Sequence, residues 1–371
     1  KYWYNQSSVG LYETKLSYLQ QIENYFIDDS SSKGFTTILN TMFNSLDTLK
    51  NNASDVNTRQ QFIGSAQNLA TYFNSVSEGL TDIQKGTNDE IKSTVQNINA
   101  IAEKIAVLNK QINVIEIQGG YANELRDQRA LLIDELSEIV PTEVSEVPIT
   151  DTNHPDEPTG ANYYTVKIGG QVLVDTYNYE TLECKARDYK VNQTDAAGLY
   201  DIKWSKTGNT FNAGGSSMSG TLKALFDIRD GNNGENFSGL AKVLNSTEVQ
   251  ITNPSITSIV GVSMPEEGIL TINGREYAYE GFTFEQDADG NITSYTFNMK
   301  RALTAEEQAR VDGRTASVGT SIDAMGIPYY MSQMNQFLRS FATEFNNILK
   351  KGVDLDGNST SGYAFFTGTD T

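Results

Sequence analysis

His154 is the only histidine in a chain of 371 residues, so any His-based triad or general base would have to use it. It lies in the turn-rich run Asn153-His154-Pro155-Asp156 with no nucleophile motif beside it, and reads as a solvated loop residue. A zinc-protease helix needs two histidines and is excluded. The single cysteine, Cys184, stands between Glu183 and Lys185 on an expected strand. It cannot close a disulfide within the chain or cage zinc alone, and reads as a packed side chain. Two acidic loops, Asp287 to Asn291 and Asp354-Leu355-Asp356-Gly357-Asn358, raise the question of calcium. An EF-hand loop needs glycine at its sixth place and glutamate at its twelfth. Counted from Asp354, the glycine comes too early and Phe365 stands where the glutamate should be, so turn chemistry accounts for both loops. No phosphate-cradling glycine loop follows a strand, and no carboxylate pair is singled out for sugar hydrolysis. The 19 tyrosines could line a sugar-binding surface, although tyrosine is also simply a good strand former. We therefore expect no enzyme, no catalytic residue, no cofactor and no metal.

With no reaction to position, the elements themselves become the subject. The stretch Val56 to Gln118 is the dominant one. Its apolar residues fall at Phe62, Ala66, Leu69, Phe73, Val76, Leu80 and Ile83, in alternating steps of four and three. They resume at Ile91, Ile98, Ile101, Ile105, Leu108, Ile112 and Ile115. This heptad seam predicts one long helix that packs lengthwise against others, a rod of roughly 90 Å if unbroken. From Leu80 through Ile83 and Thr87 to Ile91 the steps make an eleven-residue insertion, which relaxes a left-handed supercoil near Gly79 and Gly86.

Residues 1–27 predict a helix with Val9, Tyr12, Leu16, Leu19, Ile22 and Phe26 on its apolar face. Ser30-Ser31-Ser32-Lys33-Gly34 interrupts it, and a short helix carries Phe35, Ile38, Leu39, Met42, Phe43, Leu46 and Leu49. Gly119-Gly120 supplies a left-handed cap to the long helix. Tyr121 to Val140 is a further helix, with Leu125, Leu132, Leu136 and Ile139 inward and Pro141 closing it.

After Pro141 the period changes to two. Tyr163 to Lys167, Gly169-Gly170 and Val172 to Val174 predict a β-hairpin, with short strands at 182–191 and 200–205. Gly214-Gly215-Ser216 reads as a return before a short helix at 218–229. A second β-rich unit spans Glu248 to Ser317. In it Asn273-Gly274 predicts a type I′ hairpin, and residues 282–286 and 292–299 pair across the first acidic loop. Thr304 and Glu307 form a capping-box pattern. Helical spacing returns at Met331, Met334, Leu338, Phe341, Phe345 and Ile348, with Pro328 in the first turn.

The expected fold is therefore α+β and multidomain. A long-helix bundle rod, discontinuous and drawn from both chain ends, comprises 1–141 and 327–371 with 218–232 as a returning segment. Two β-rich domains, 142–217 and 233–326, are inserted into it. The net charge of −19 argues against nucleic acid and against an anionic membrane surface. No apolar run reaches the ~20 residues of a membrane span, and no secretory signal pattern opens the sequence. The chain opens inside a helix, without Met, and is expected to be a piece of a longer protein.

The helical segments carry a resemblance. "SYLQQIENYF", "GFTTILNTMFNSLDTLKNN", "TRQQFIGSAQNLATYFNSVSEGLTDIQ", "NINAIAEKIAVLNKQI" and "ANELRDQRALLIDELSEIV" resemble the flagellar hook-associated protein 1 family. So do "GGSSMSGTLKALFDIRDGN" and "FLRSFATEFNNILKKGVDLDGNSTSGYAFF". The match covers 1–141, about 214–232 and 327–366, and is specific in order and spacing. The two β-rich inserts carry no matching motif.

The resemblance implies a structural component of the bacterial flagellum at the hook–filament junction, whose helical domain assembles into a ring with β domains outward. It implies hook protein, a second junction protein and filament subunits as partners, with an export chaperone. It also implies secretion through the flagellar channel to the extracellular flagellum without a cleaved signal. The resemblance further implies terminal helical segments, forming an inner tube, that are expected to lie outside this chain.

On the long helix, Asn97, Lys104, Asn109 and Lys110 read as a polar face for lateral contacts or simply as a solvated face. Arg126, Asp127 and Arg129 read as interface or as an internal ion-pair network. The competing function is a surface-exposed binding module for host protein or glycan, with the β inserts as readers and the rod as a stalk.

Overall fold

The fold is known from a computed structural model, which describes residues 2–29, 33–154, 156–190, 194–215, 218–231, 237–255, 257, 268–318, 324–354 and 357–368. The Ser30–Ser32 break, Ser216 of the expected return and Leu355-Asp356 of the second acidic loop lie outside them. The chain opens with α1 (Tyr2–Asn24), α2 (Phe35–Asn51), α3 (Val56–Ile117) and α4 (Asn123–Ile139).

Helix α3 runs 62 residues without a break, with Gly79 and Gly86 both inside it. The expected seam is inward at Phe62, Ala66, Leu69, Phe73, Val76 and Leu80, then at Ile91, Ile98, Ile101, Ile105, Leu108 and Ile112. Two expected members differ. Ile83 is half-buried, because Gln84, Thr87 and Asn88 take the inward places at the insertion. Ile115 is exposed in the last turn. There the helix ends through Gly119 at φ +79°, and the Gly120 amide donates to the Ile115 carbonyl at 3.1 Å, which is the expected glycine cap.

The first helix corrects the sequence reading. Val9, Tyr12, Leu16 and Leu19 are 45, 69, 58 and 38% exposed, and the buried positions are Ser7, Gly10, Tyr18 and Ile22. A Cβ on Gly10 would stand 2.3 Å from the Glu138 carbonyl oxygen. The helix thus turns Ser7 and Gly10 inward for a close backbone approach, buries Tyr18 and the expected Ile22, and leaves Val9, Tyr12, Leu16 and Leu19 outside. Asp227 holds the same face, with Lys15 at 2.7 Å.

Two compact units emerge. One holds the described residues of 1–21, 83–190 and 195–231. In it β1 (Thr142–Thr150), β2 (Pro158–Ile168), β3 (Gln171–Asp175) and β4 (Asn178–Tyr179) form an antiparallel sheet in chain order. The β2–β3 turn is Gly169-Gly170, both at positive φ, as the hairpin reading expects. β5 (Leu182–Ala186), shorter than read, pairs with β6 (Tyr200–Trp204), and α5 (Thr221–Arg229) buries Leu222, Leu225 and Ile228. The strand β1 went unread because its polar residues hide the alternation.

The other unit holds the described residues of 22–82, 191–194 and 232–371. Its β7 (Phe237–Val243), β8 (Glu248–Thr252), β9 (Gly268–Ile272), β10 (Arg275–Gln286), β11 (Ile292–Met299) and β12 (Thr315–Val318) close a barrel in the order β10-β11-β8-β7-β12-β9. Tyr279, Tyr295, Phe297, Leu270 and Val249 fill it. Asn273-Gly274, both at positive φ, turns β9 into β10 as expected. The capping box of Thr304 and Glu307 opens α6 (Ala305–Val311). Helix α7 (Ile327–Leu349) buries Met331 and Met334, but Ile348, read as a seam residue, is 65% exposed in its last turn.

Candidate functional site

Beside its apolar seam, α3 carries a second stripe. Gln84, Asn88, Val95, Asn99, Ala102, Ala106, Asn109 and Asn113 follow one another by steps of four, seven, four, three, four, three and four. At 100° per residue these lie on one face. An α-helix has no free backbone groups to offer a neighbouring strand. A carboxamide does, because it presents one acceptor and two donors on a short stem.

Each amide of this stripe is matched to backbone of the same unit. Asn99 donates to the Leu182 carbonyl at 2.8 Å and accepts from the Leu182 amide at 2.8 Å. Asn113 does the same with Asn162, at 2.9 and 3.0 Å, and also donates to the Tyr177 hydroxyl. Both exchanges copy a rung of an antiparallel ladder, with a side chain in place of a strand. Asn109 donates to the Thr176 carbonyl at 2.8 Å. Gln84 accepts from the Ala196 amide and donates to the Arg229 carbonyl and to Asp195. Asn88 accepts from the Tyr200 amide at 2.8 Å. Each such bond is worth about 1 kcal/mol net, and removing the amide would leave buried backbone groups orphaned at about 1–3 kcal/mol.

Arg229 and Arg129 anchor two sections of the stripe. Arg229 is fully buried. It donates to Asn88 and to the Tyr200 carbonyl, both at 2.8 Å, and holds Asp230 through two nitrogens at 2.9 and 2.7 Å. Arg187 bridges Asp230 and Asp201. Burial pushes the Asp230 carboxyl up, but the two guanidinium groups outweigh it and hold the carboxyl below its ordinary range. Arg129 is buried, donates to Asn109 at 2.8 Å, reaches Glu146 at 3.3 Å and lies 3.5 Å over the Tyr164 ring. Arg126 grips Glu116 through two nitrogens at 2.6 and 2.7 Å and reaches Glu146 at 3.0 Å.

The candidates named from sequence thus separate. Asn109, Arg129 and Arg126 come together through Glu146 and Glu116. Asn109 is 1% exposed and so leaves the polar outer face on which it was read. Asn97 is exposed and donates to Glu135 at 3.0 Å. Lys104, Lys110 and Asp127 are exposed. Sequence reasoning missed Gln84, Asn88, Asn99, Asn113 and Arg229. The available signal was several asparagines, poor helix formers, repeating on one stripe with alanine.

His154 is exposed and Cys184 half-buried, its thiol pushed up by burial. Asp287 accepts from the amides of Asp289 and Asn291, closing its loop upon itself. Asp354 likewise accepts from the Asn358 amide. Among the described residues no three of His, Cys, Asp and Glu gather as metal ligands would, and no helix is long and apolar enough to cross a membrane.

Compared with known proteins, residues 19–253 match the family described as "Flagellar hook-associated protein FlgK helical domain". The chain is 37% identical to Flagellar hook-associated protein 1 of Bacillus subtilis over 145 residues, 39% of this chain and 28% of that protein. It is 42% identical to Flagellar hook-associated protein 1 of Salmonella typhimurium over 143 residues, 38% of this chain and 25% of that one. The matched stretch spans only about a quarter of these relatives' length. "The structure of the flagellar hook junction protein FlgK from Burkholderia pseudomallei" aligns at a TM-score of 0.49 and 16% identity, covering 86% of this chain and 62% of that one.

Proposed function

Because the chain belongs to the flagellar hook-associated protein family defined by that helical domain, we propose that it is the non-enzymatic core of a junction protein linking the flagellar hook to the filament. In this reading the rod domain, 1–141 with 327–371 and the returning segment 218–232, assembles side by side with other copies into a ring. The inserts 142–217 and 233–326 face outward. Its partners are hook protein, a second junction protein and filament subunits, and a chaperone accompanies its export to the extracellular flagellum without a cleaved signal.

The observation that carries the reading is the family match over 19–253, which takes in all of α3 and its amide stripe. A member of a load-bearing ring needs a helix whose register against its neighbours does not slip. Directional amide bonds supply that where apolar packing alone would not. Asn109, Arg126 and Arg129 then stabilise the rod, while Lys104, Lys110, Asp127 and the Glu135-bound Asn97 are exposed to meet a neighbouring copy at its surface.

The test is a longer chain that restores sequence at both ends, mixed with hook and filament subunits and inspected for junction rings by electron microscopy. Rings between hook and filament are expected. A folded longer chain that joins neither would overturn the proposal. Charge reversal at Lys104 and Lys110 is expected to weaken ring formation without altering the helical circular-dichroism signal.

A further inference from the structure

After α7 the chain turns back. Val353 bridges to Ser359, and the Thr360 amide donates to the Gly352 carbonyl at 3.1 Å. The segment then lays Phe365 and Phe366 against α7 and the start of α3, within one unit. Phe365 stacks on Phe62 at 5.1 Å between centroids and meets Phe345 at 5.5 Å. Phe366 meets Phe341 edge-on at 5.5 Å and Phe345 at 5.2 Å.

One side chain reads the backbone of this pair. The Asn346 carboxamide oxygen accepts from the amides of Phe365 and Phe366 at 2.8 and 3.1 Å, and its nitrogen donates to the Phe366 carbonyl at 2.7 Å. Three of its four hydrogen-bonding places are spent on two consecutive residues. The rings nevertheless remain half-buried. Both residues lie in a bend, so the two consecutive amides point the same way; main-chain bonds that fix a segment, beside pockets that accept its side chains, are the two parts of a peptide-recognition site.

We propose that Phe62, Phe341, Phe345 and Asn346 form a peptide-binding groove for a bent segment with two consecutive aromatic residues. The chain's own Phe365-Phe366 fills it in cis, and the same segment of a second copy fills it once the resident pair is withdrawn. The occupant already seated defines the chemistry: two adjacent rings, two amides and one carbonyl. Tethering gives the resident segment an effective concentration on the order of millimolar, so a free segment competes poorly with it. This site is independent of the ring proposed above, since no residue of the outer α3 face takes part.

The test uses the full chain and a fluorescein-labelled synthetic peptide of residues 357–368, followed by fluorescence anisotropy. Phe365→Ser with Phe366→Ser is expected to bind the peptide at least tenfold more tightly than the unaltered chain. Adding Asn346→Ala should return binding to the weak level. Equal weak binding by a folded double variant and the unaltered chain would overturn the proposal. A second measurement needs no variant. Hydrogen exchange at the Phe365 and Phe366 amides should be slow in the unaltered chain and should accelerate severalfold with excess peptide. Exchange that is already fast, or unmoved by peptide, overturns it as well.

Discussion

Between Phe62 and Leu80, α3 is held by rings and aliphatic side chains; between Gln84 and Asn113 the same helix is held also by amides. In the first region Phe35, Phe73 and Phe337 meet at centroid distances of 5.2 to 5.9 Å. Such contacts are strong in sum but tolerate a shift of an ångström or a change of partner. In the second region Asn99 and Asn113 each satisfy both polar groups of one backbone residue. A slip of one residue there would orphan every pair at once. The lesson is that the two halves are specified differently: one by volume, the other by direction.

The largest expected effect breaks the directional half. Arg229→Met should destabilise the first unit by about 3–5 kcal/mol, because Asp230 loses its main partner and Asn88 and the Tyr200 carbonyl lose theirs. Both tryptophans, Trp3 and Trp204, lie in that unit, so urea unfolding followed by tryptophan fluorescence reads it directly. Leu69→Ala in the other half should cost about 2–5 kcal/mol through the cavity it leaves. It should lower the stability seen by far-ultraviolet circular dichroism before it moves the tryptophan transition.

The contrast sharpens with gentler changes. Asn99→Leu keeps the branching and number of side-chain heavy atoms yet should still cost about 1–3 kcal/mol, because both Leu182 backbone groups go unpaired. Leu80→Met, also nearly isosteric, should cost less than about 1.5 kcal/mol. If the two prove equal, direction is not what distinguishes the halves. Gly64 and Gly86 have open space where a Cβ would stand, so alanine at either should raise stability by up to about 1 kcal/mol. Gly10→Ala should do the opposite, since its Cβ would strike the Glu138 carbonyl.

The smallest effect is a pH dependence. Asp28 accepts from the Thr37 hydroxyl and from the amides of Thr37 and Gly34, and these hold its carboxyl down at about 2. A depressed carboxyl contributes stability above its unfolded value of about 3.9 and loses it as pH falls toward the folded one. Asp28→Asn should therefore flatten the stability profile of its unit between about pH 4 and pH 2, read by acid titration of the helical signal.

Much of the architecture was legible because local rules dictate it. Gly169-Gly170, Asn273-Gly274, Thr304 with Glu307 and the cap at Gly119 are each set by dihedral freedom or by hydrogen bonding within a few residues. The long helix was legible because a seam of period 3.5 recurs many times. What escaped depends on distant partners. The inward face of α1 is decided by how closely Gly10 lets it approach Glu138, and no periodicity in α1 announces that. Closure of the barrel rests on β12, four residues long, pairing with both β7 and β9. Asn109 reads as part of a solvated face because asparagine on a helix normally is one, until the Thr176 carbonyl it satisfies is in place.

That closure has a further consequence. A sheet with a free margin offers unpaired amides and carbonyls, on which another chain can extend it into an aggregate. The six strands from β7 to β12 pair on both sides, each with its neighbour around the ring. Many copies could crowd at high local concentration without this domain seeding a fibril. Colloidal safety of that kind comes from topology rather than from charge.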